Sequence, residues 1–384
     1  MTQRILVIGA GIAGLAAAVA LQRRGHRVTV LEERTNTSSG LGISIWPNAL
    51  AALDVLGLGD AVRGSGGRVS AGAMRWSDGR WLRQPSPERI VTALGEPLVV
   101  VRRSVLTNLL ADALEPGTVE MGLAASELVV TEAGVRVTLS GGATREGAAV
   151  VGADGVGSIV ARHLNGALRH RYTGYTAWRG IAAYALDATM AGETVGRGTE
   201  FGHVPLGPDH TYWFGTERRP EGSSSREGEL AHLRSKYHSW AEPIPAILSS
   251  TEPTDVLRTD LYDRAEARQW SRGPVVIVGD AAHPMRPHLG QGGCQGLEDA
   301  ATLAHCVGAG EDLTRAFAEY AAFRRPRAMA LARESRLLGR IVNVRPASLG
   351  EAAMRASSLV PEALLTRHMA SVAGRSAFAL PDVR

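Results

Sequence analysis

A chain of 384 residues, 45% apolar and 21% charged, is long enough for two domains with a full core, and its composition excludes a disordered, collagenous or coiled-coil protein. Its 42 basic and 38 acidic residues leave a net charge of +4, but Lys236 is the one lysine and no arginine cluster is interleaved with aromatics, so no nucleic-acid partner is expected. Cys294 and Cys306 form neither a CxxC pair nor a zinc spacing, which fits a reduced, cytoplasmic protein without a metal site.

Residues 4–8 (RILVI) read as a short buried strand, 14–24 as a helix and 27–31 (RVTVL) as a second strand. This is a βαβ start, so the sheet here is expected to be parallel. The apolar run 5–21 is not read as a signal peptide, because glycines interrupt it and a fresh strand follows. No other run is long enough for a membrane span.

Between the first strand and the helix stands Gly9-Ala10-Gly11-Ile12-Ala13-Gly14. Gly9 permits the tight turn, Gly11 lets a pyrophosphate approach the backbone, and Gly14 allows close helix–strand packing. The phosphate then meets the free N–H groups and positive dipole end of the helix. Glu32 ends the second strand, eighteen residues after Gly14, where an acid can accept a hydrogen bond from a ribose hydroxyl. Glu33 adjoins it.

Residues 46–58 and 103–114 have helical spacing, and 127–138 read as a hairpin about Glu132-Ala133-Gly134. The strand 146–153 runs into Gly152-Ala153-Asp154-Gly155-Val156-Gly157-Ser158. From 172 to 216 the period shifts to alternation, which predicts an antiparallel sheet. A polar loop (221–226), a helix (229–241) and a buried strand (274–279) follow. That strand ends at Gly279-Asp280, and after Pro287-His288 the run Gly290-Gln291-Gly292-Gly293-Cys294 opens a helix over 293–308. Backbone N–H groups at such a helix start favour negative charge. Helical spacing over 313–340 and 351–369 closes the chain.

The three glycine-bearing elements, in this order, resemble the class A FAD-dependent monooxygenases, the p-hydroxybenzoate hydroxylase-like flavoproteins, over roughly residues 3–335. The resemblance implies an α/β fold. A Rossmann-like FAD-binding domain (1–72, 98–171 and 270–335) would be interrupted by a mostly antiparallel β-sheet substrate domain (73–97 and 172–269). A C-terminal helical segment (336–384) would follow.

It further implies that Gly9, Gly11, Ala13, Gly14, Glu32 and Glu33 hold the ADP half of FAD, and that Arg103 contacts the flavin side chain and pyrophosphate. Asp154 carries the DG motif, and Asp280 binds the ribityl chain. Gly42, Ile43 and Ser44 lie along the flavin, while Gly290, Gly292, Gly293 and Cys294 present amides to its pyrimidine edge. Pro287, His288 and Tyr212 are the candidate catalytic residues, and Trp46, Trp178, His203 and Trp213 the candidate substrate pocket.

The implied reaction uses NADH or NADPH to reduce FAD, and O2 to form a flavin C4a-hydroperoxide. That species hydroxylates or epoxidises an aromatic or other electron-rich small molecule. The alternative on the same fold is a non-oxygenating FAD-dependent reductase or dehydrogenase. A monomer or homodimer without an integral membrane span is expected. The sequence departs from the family at Ala161, where the DG motif usually has an arginine; Arg162 follows. In motif style it is closest to the urate hydroxylase and zeaxanthin epoxidase-like branch. Glu200 and His288, however, fall at the positions of the urate-binding arginine and the catalytic acid, so urate is not the expected substrate.

Overall fold

The first strand, Arg4–Ile8, is buried at four of its five positions and pairs in parallel with Arg27–Glu32 on one side and Ala149–Gly152 on the other. The computed structural model describes residues 3–36, 41–70, 72–308 and 312–382, so the outer bounds 1 and 384 of the expected domains lie outside the described residues. Val119–Met121 and Val275–Ile277 extend this sheet in parallel, and the short strand Ser271–Arg272 closes one edge antiparallel. The helix Ile12–Arg23 is alanine-rich and packs against the helix Gly292–Cys306. Small residues allow that approach: a Cβ added at Gly296 would lie 2.9 Å from the Ala13 Cβ.

The second large sheet has seven strands, in the order Leu257–Arg264, His170–Ala182, Thr211–Arg218, Thr199–Pro205, Gly192–Gly196, Met74–Trp76, Trp81–Arg83. All neighbours are antiparallel except Gly192–Gly196 with Met74–Trp76. Each strand alternates between two faces, and both are covered. Behind the sheet, Trp178, Phe201 and Trp213 form a core with the helices Glu229–Tyr237 and Ile244–Ser249. In front, Ile181, Val204 and Tyr212 pack on Val69, Leu98, Val100 and Trp46. Those partners include residues of a small antiparallel sheet built from Gly42–Ile45, Leu98–Arg102 and Gly67–Val69. The front face therefore looks toward the glycine-loop region.

Several elements end differently from their sequence periods. The helix expected over 229–241 stops at Tyr237 and a second starts at Ile244, because Trp240 turns to pack edge-on against Tyr237 and Pro243 follows. The expected helix 351–369 is two helices, Ala347–Ser357 and Glu362–Ala373, broken before Pro361; proline supplies no N–H to carry a helix through it. The long helix Leu313–Val342 does contain a proline, Pro326. The helix Pro87–Leu94, expected with the second sheet, instead buries Ile90 and Leu94 against Leu331 and Val372 of the C-terminal helices.

Candidate active site

The glycine loop explains itself atom by atom. Gly9 sits at φ +101°, and a Cβ there would lie 2.5 Å from the Ala153 carbonyl oxygen. A Cβ on Gly14 would lie 1.9 Å from the Gly9 carbonyl oxygen. A Cβ on Gly11 would meet nothing within 4 Å. Two glycines thus serve chain packing, and the middle one keeps a space clear in front of a helix N-terminus. That space belongs to a cleft of about 440 Å³ lined by Gly9 to Gly11, Glu32, Arg103, Asp154 and Asp280, with Glu33 at its rim. Its lining thus combines two acids, free helix N–H groups and an arginine, a donor and acceptor set that suits a ligand carrying hydroxyls and phosphates. The side chain of Ala13 points elsewhere, toward Gly279 and Gly296.

Glu32 also shapes the loop. Its carboxylate accepts the Ala10 N–H at 2.6 Å and the Arg34 N–H at 3.0 Å. Asp154 accepts the Ser158 hydroxyl at 2.5 Å and the Ile159 N–H at 2.7 Å, so it also caps the helix Ile159–Asn165. Burial pushes its carboxyl above the ordinary range, against those hydrogen bonds. Arg162 reaches back to the Gly157 carbonyl. The buried cation between the two motif loops is instead Arg264. It donates to Val156, Asp280 and Ala282 carbonyls at 3.2–3.4 Å. Burial lowers its pKa to about 10, with Asp280 and Asp154 opposing. Sequence reading missed Arg264, because its partners are carbonyls far away in the chain.

A second missed group lies beneath the Gly290–Cys294 loop. Arg324, fully buried, donates to Glu298 at 2.6 Å, to Asp299 at 2.8 Å and to the Gln295 side chain at 2.7 Å. Asp299 accepts the Gly279 N–H at 2.8 Å and contacts His283 Nε2 at 2.6 Å. Burial alone would raise the Asp299 carboxyl, but His283 and Arg324 hold it well below the usual carboxylate range. Glu298 accepts from Asn48, and Asn48 also donates to Gln291. One ionic network therefore pins the Gly279-Asp280 turn, the start of the helix Gly292–Cys306 and the helix Pro47–Val55.

The flavin-flanking candidates converge. The Cys294 thiol, pushed up to about 12 chiefly by burial, points at the carbonyls of Ser44 (3.6 Å) and Gly290 (3.7 Å), so it tethers rather than attacks. Gly293 packs on Ile43. Gly290 adopts φ +61°, and a Cβ there would stand 2.9 Å from Trp46 Nε1, a buried N–H without a partner. The Tyr212 ring lies on Gly42, where a Cβ would be 2.4 Å away. Burial raises the Tyr212 hydroxyl, opposed by Arg179, which is hydrogen-bonded to it, and by Arg103. Pro287 opens a short turn, Pro287–Leu289, that carries His288 toward the sheet front.

Three pocket candidates are corrected by strand parity. Trp178, Trp213 and His203 share the back face with Phe201, as the pairs Trp178–Gly215 and His203–Trp213 require. Trp178 donates to Glu229 at 2.7 Å and Trp213 to Thr251 at 3.0 Å. His203 Nε2 accepts a hydrogen bond from Arg75 at 3.1 Å, and burial with that charge lowers its pKa to about 3. The front face carries Tyr212 and Glu200 instead.

His288 and Glu200 meet across this front space. His288 Nε2 is 3.8 Å from Glu200 Oε1, their side chains are 4% and 7% exposed, and neither ring nitrogen has a hydrogen-bond partner. Burial, then Arg286, lowers the His288 pKa to about 4, so the ring is neutral at neutral pH. Burial, then the charge of Glu193, raises the Glu200 carboxyl, against the Thr216 hydroxyl 3.3 Å away. Glu193 lies on the same face of the adjacent strand and is raised by burial too.

A raised carboxyl costs stability as pH climbs. Between the ordinary carboxylate range and the raised value the folded chain holds more protons than the unfolded chain, so folding free energy falls with increasing pH. Glu200→Gln removes the Glu200 share of that dependence and leaves that of Glu193. Melting curves at pH 5 and pH 8 are expected to show the variant close to the parent at pH 5 and more stable at pH 8. An equal shift at both values would contradict a protonated Glu200.

The FAD binding domain family matches residues 2–335. Over 340 residues the chain is 34% identical to the aurachin C monooxygenase/isomerase of Stigmatella aurantiaca, covering 88% of this chain and 89% of that protein. It is 32% identical over 350 residues to the 3-amino-4-hydroxybenzoate 2-monooxygenase of Streptomyces cremeus, covering 87% and 86%. Among solved structures, Klebsiella pneumoniae HpxO complexed with FAD and uric acid superposes with a TM-score of 0.90 at 27% identity over 96% of each chain.

Proposed function

From the premise that this chain belongs to the FAD binding domain family, we propose how its residues divide the work of an FAD-dependent monooxygenase. The enzyme acts on an aromatic or other electron-rich small molecule. FAD, once reduced, supplies activation of O2 for transfer of one oxygen atom. The reductant is NADH or NADPH, bound transiently, since no second GxGxxG exists in the chain. The observation that carries the reading is the clear space over Gly11, in one cleft with Glu32, Arg103 and Asp280.

In this reading Gly9, Gly11, Gly14, Glu32 and Arg103 hold the ADP half, and Asp280 the ribityl chain. The amides at Gly290–Cys294, at the start of the helix Gly292–Cys306, would offer donors to an anionic edge of the bound flavin. Substrate sits between that loop and the sheet front, against Trp46 and Tyr212. Neutral His288 accepts a proton from the substrate hydroxyl or N–H at Nε2, and the protonated Glu200 carboxyl opposite adds no charge of its own. An uncharged Glu200 carboxyl supplies no positive charge to an anion, which argues against urate. The buried Cys294 thiol fits a reducing cytoplasm.

The test is turnover under ¹⁸O₂ with a panel of phenols, aminophenols and quinolones. One labelled oxygen per product is expected. Product formed without label would favour the non-oxygenating alternative. His288→Ala is expected to slow product formation by about 100-fold or more, as for a lost acid–base group, while hydrogen peroxide release per NAD(P)H consumed rises. Unchanged coupling would remove His288 from proton transfer.

A further inference from the structure

A second concavity, of about 260 Å³, lies where the strands His170–Ala182 and Thr211–Arg218 meet the end of the long helix Leu313–Val342. Five arginines line it, Arg171, Arg218, Arg286, Arg340 and Arg345, against one acid, Asp263. Arg286 takes up that acid through two bonds of 2.8 and 2.5 Å. Arg218 donates to the Asn343 carbonyl, at 2.7 and 3.2 Å. Arg171, Arg340 and Arg345 are exposed and have no ion-pair partner within 4 Å among the described residues. Four guanidinium charges thus line one cleft whose single carboxylate, Asp263, is taken up by the fifth, Arg286.

The cleft adjoins the reaction site. Tyr175, Arg286 and Gly339 line it, and a Cβ on Gly339 would lie 2.6 Å from both His288 Cε1 and the Tyr175 hydroxyl. The Tyr175 ring stands edge-on to His288, with centroids 6.1 Å apart. A wall one side chain thick therefore separates the arginines from the substrate space.

We propose that this arginine cleft binds a phosphoryl group of the nicotinamide dinucleotide reductant. The inference rests on the reading above, in which NADH or NADPH supplies the electrons. Guanidinium forks match phosphate oxygens two at a time, and several unpaired charges suit a multiply charged group. The cleft is smaller than the roughly 300–1,000 Å³ that whole ligands of drug size occupy, so it grips one group of a longer molecule. The chain has no second glycine fingerprint for that molecule, which leaves side-chain charge as the means of holding it.

The test uses the FAD-loaded full chain and the double variant Arg171→Ala/Arg340→Ala, with Arg340→Lys beside it. NADP⁺ binding is measured by calorimetry, and half-saturation by NADPH and NADH from anaerobic flavin bleaching. Losing two charge-assisted contacts is expected to weaken NADP⁺ binding and raise half-saturation at least about tenfold. Arg340→Lys retains most of the affinity, FAD content does not change, and the parent loses affinity as salt is raised. A larger effect on NADPH than NADH would assign the extra phosphate; an equal effect would assign the diphosphate. Unchanged binding of all three dinucleotides would overturn the proposal. So would a change confined to half-saturation by the organic substrate, which would make the anion part of that substrate. If the parent holds no flavin, the reading beneath has failed, and the NADP⁺ titration still decides the cleft.

Discussion

Arg324→Ala is expected to destabilise the protein by about 3–5 kcal/mol and to release FAD, the largest effect of any substitution away from the cleft. Arg324 is buried and bridges Glu298 to Asp299. Glu298 would keep Arg327 at 3.0 Å, but Asp299 would be left without an arginine partner in a dry site. Its hydrogen bond to the Gly279 N–H then weakens, and with it the turn that presents Asp280. The triple variant Arg324→Met/Glu298→Gln/Asp299→Asn removes the charges together and is expected to recover much of the lost stability, because the large cost lies in the uncompensated charge. Thermal unfolding and bound FAD per chain are the readouts. A fall in stability below about 1 kcal/mol for Arg324→Ala would show that the network is not what holds these loops.

Gly11→Val and Gly9→Ala are expected to fail in opposite ways. Valine at position 11 enters open space, so the chain should fold with an unchanged melting temperature when flavin is absent. Its side chain would occupy the approach to the helix N-terminus, and FAD affinity should drop by about 10–100-fold, the equivalent of 1–3 kcal/mol of overpacking. Alanine at position 9 must adopt φ +101° and meets the Ala153 carbonyl, so destabilisation precedes any loss of cofactor. Melting curves of both variants without flavin, followed by FAD titration, separate the cases. A Gly11→Val protein that binds FAD like the parent would place the pyrophosphate elsewhere.

What the sequence made legible was local. The fingerprint loop, the Gly279-Asp280 turn and the glycines before Gly292–Cys306 announce themselves by residue type and spacing. The shift to alternation after residue 172 announces the second sheet. Which parity of that sheet faces the reaction was not legible. A sheet covered on both faces carries apolar residues at odd and even positions alike. Trp178 and Trp213 therefore looked like pocket aromatics, whereas they pack behind the sheet and Glu200 lies in front. Arg264 and Arg324 were invisible for another reason. Each acts on groups brought near only by the fold, and an arginine-rich composition hides two buried arginines among many exposed ones.

The most direct measurement is the visible spectrum of the purified chain with FAD added and excess removed, recorded without air, then with NADPH or NADH, then after air is admitted. Flavin bands that stay with the protein, bleach with reductant and return with oxygen are expected. A chain that retains no flavin after FAD is added would contradict the assignment of the Gly11 cleft, and with it the reading of the whole site.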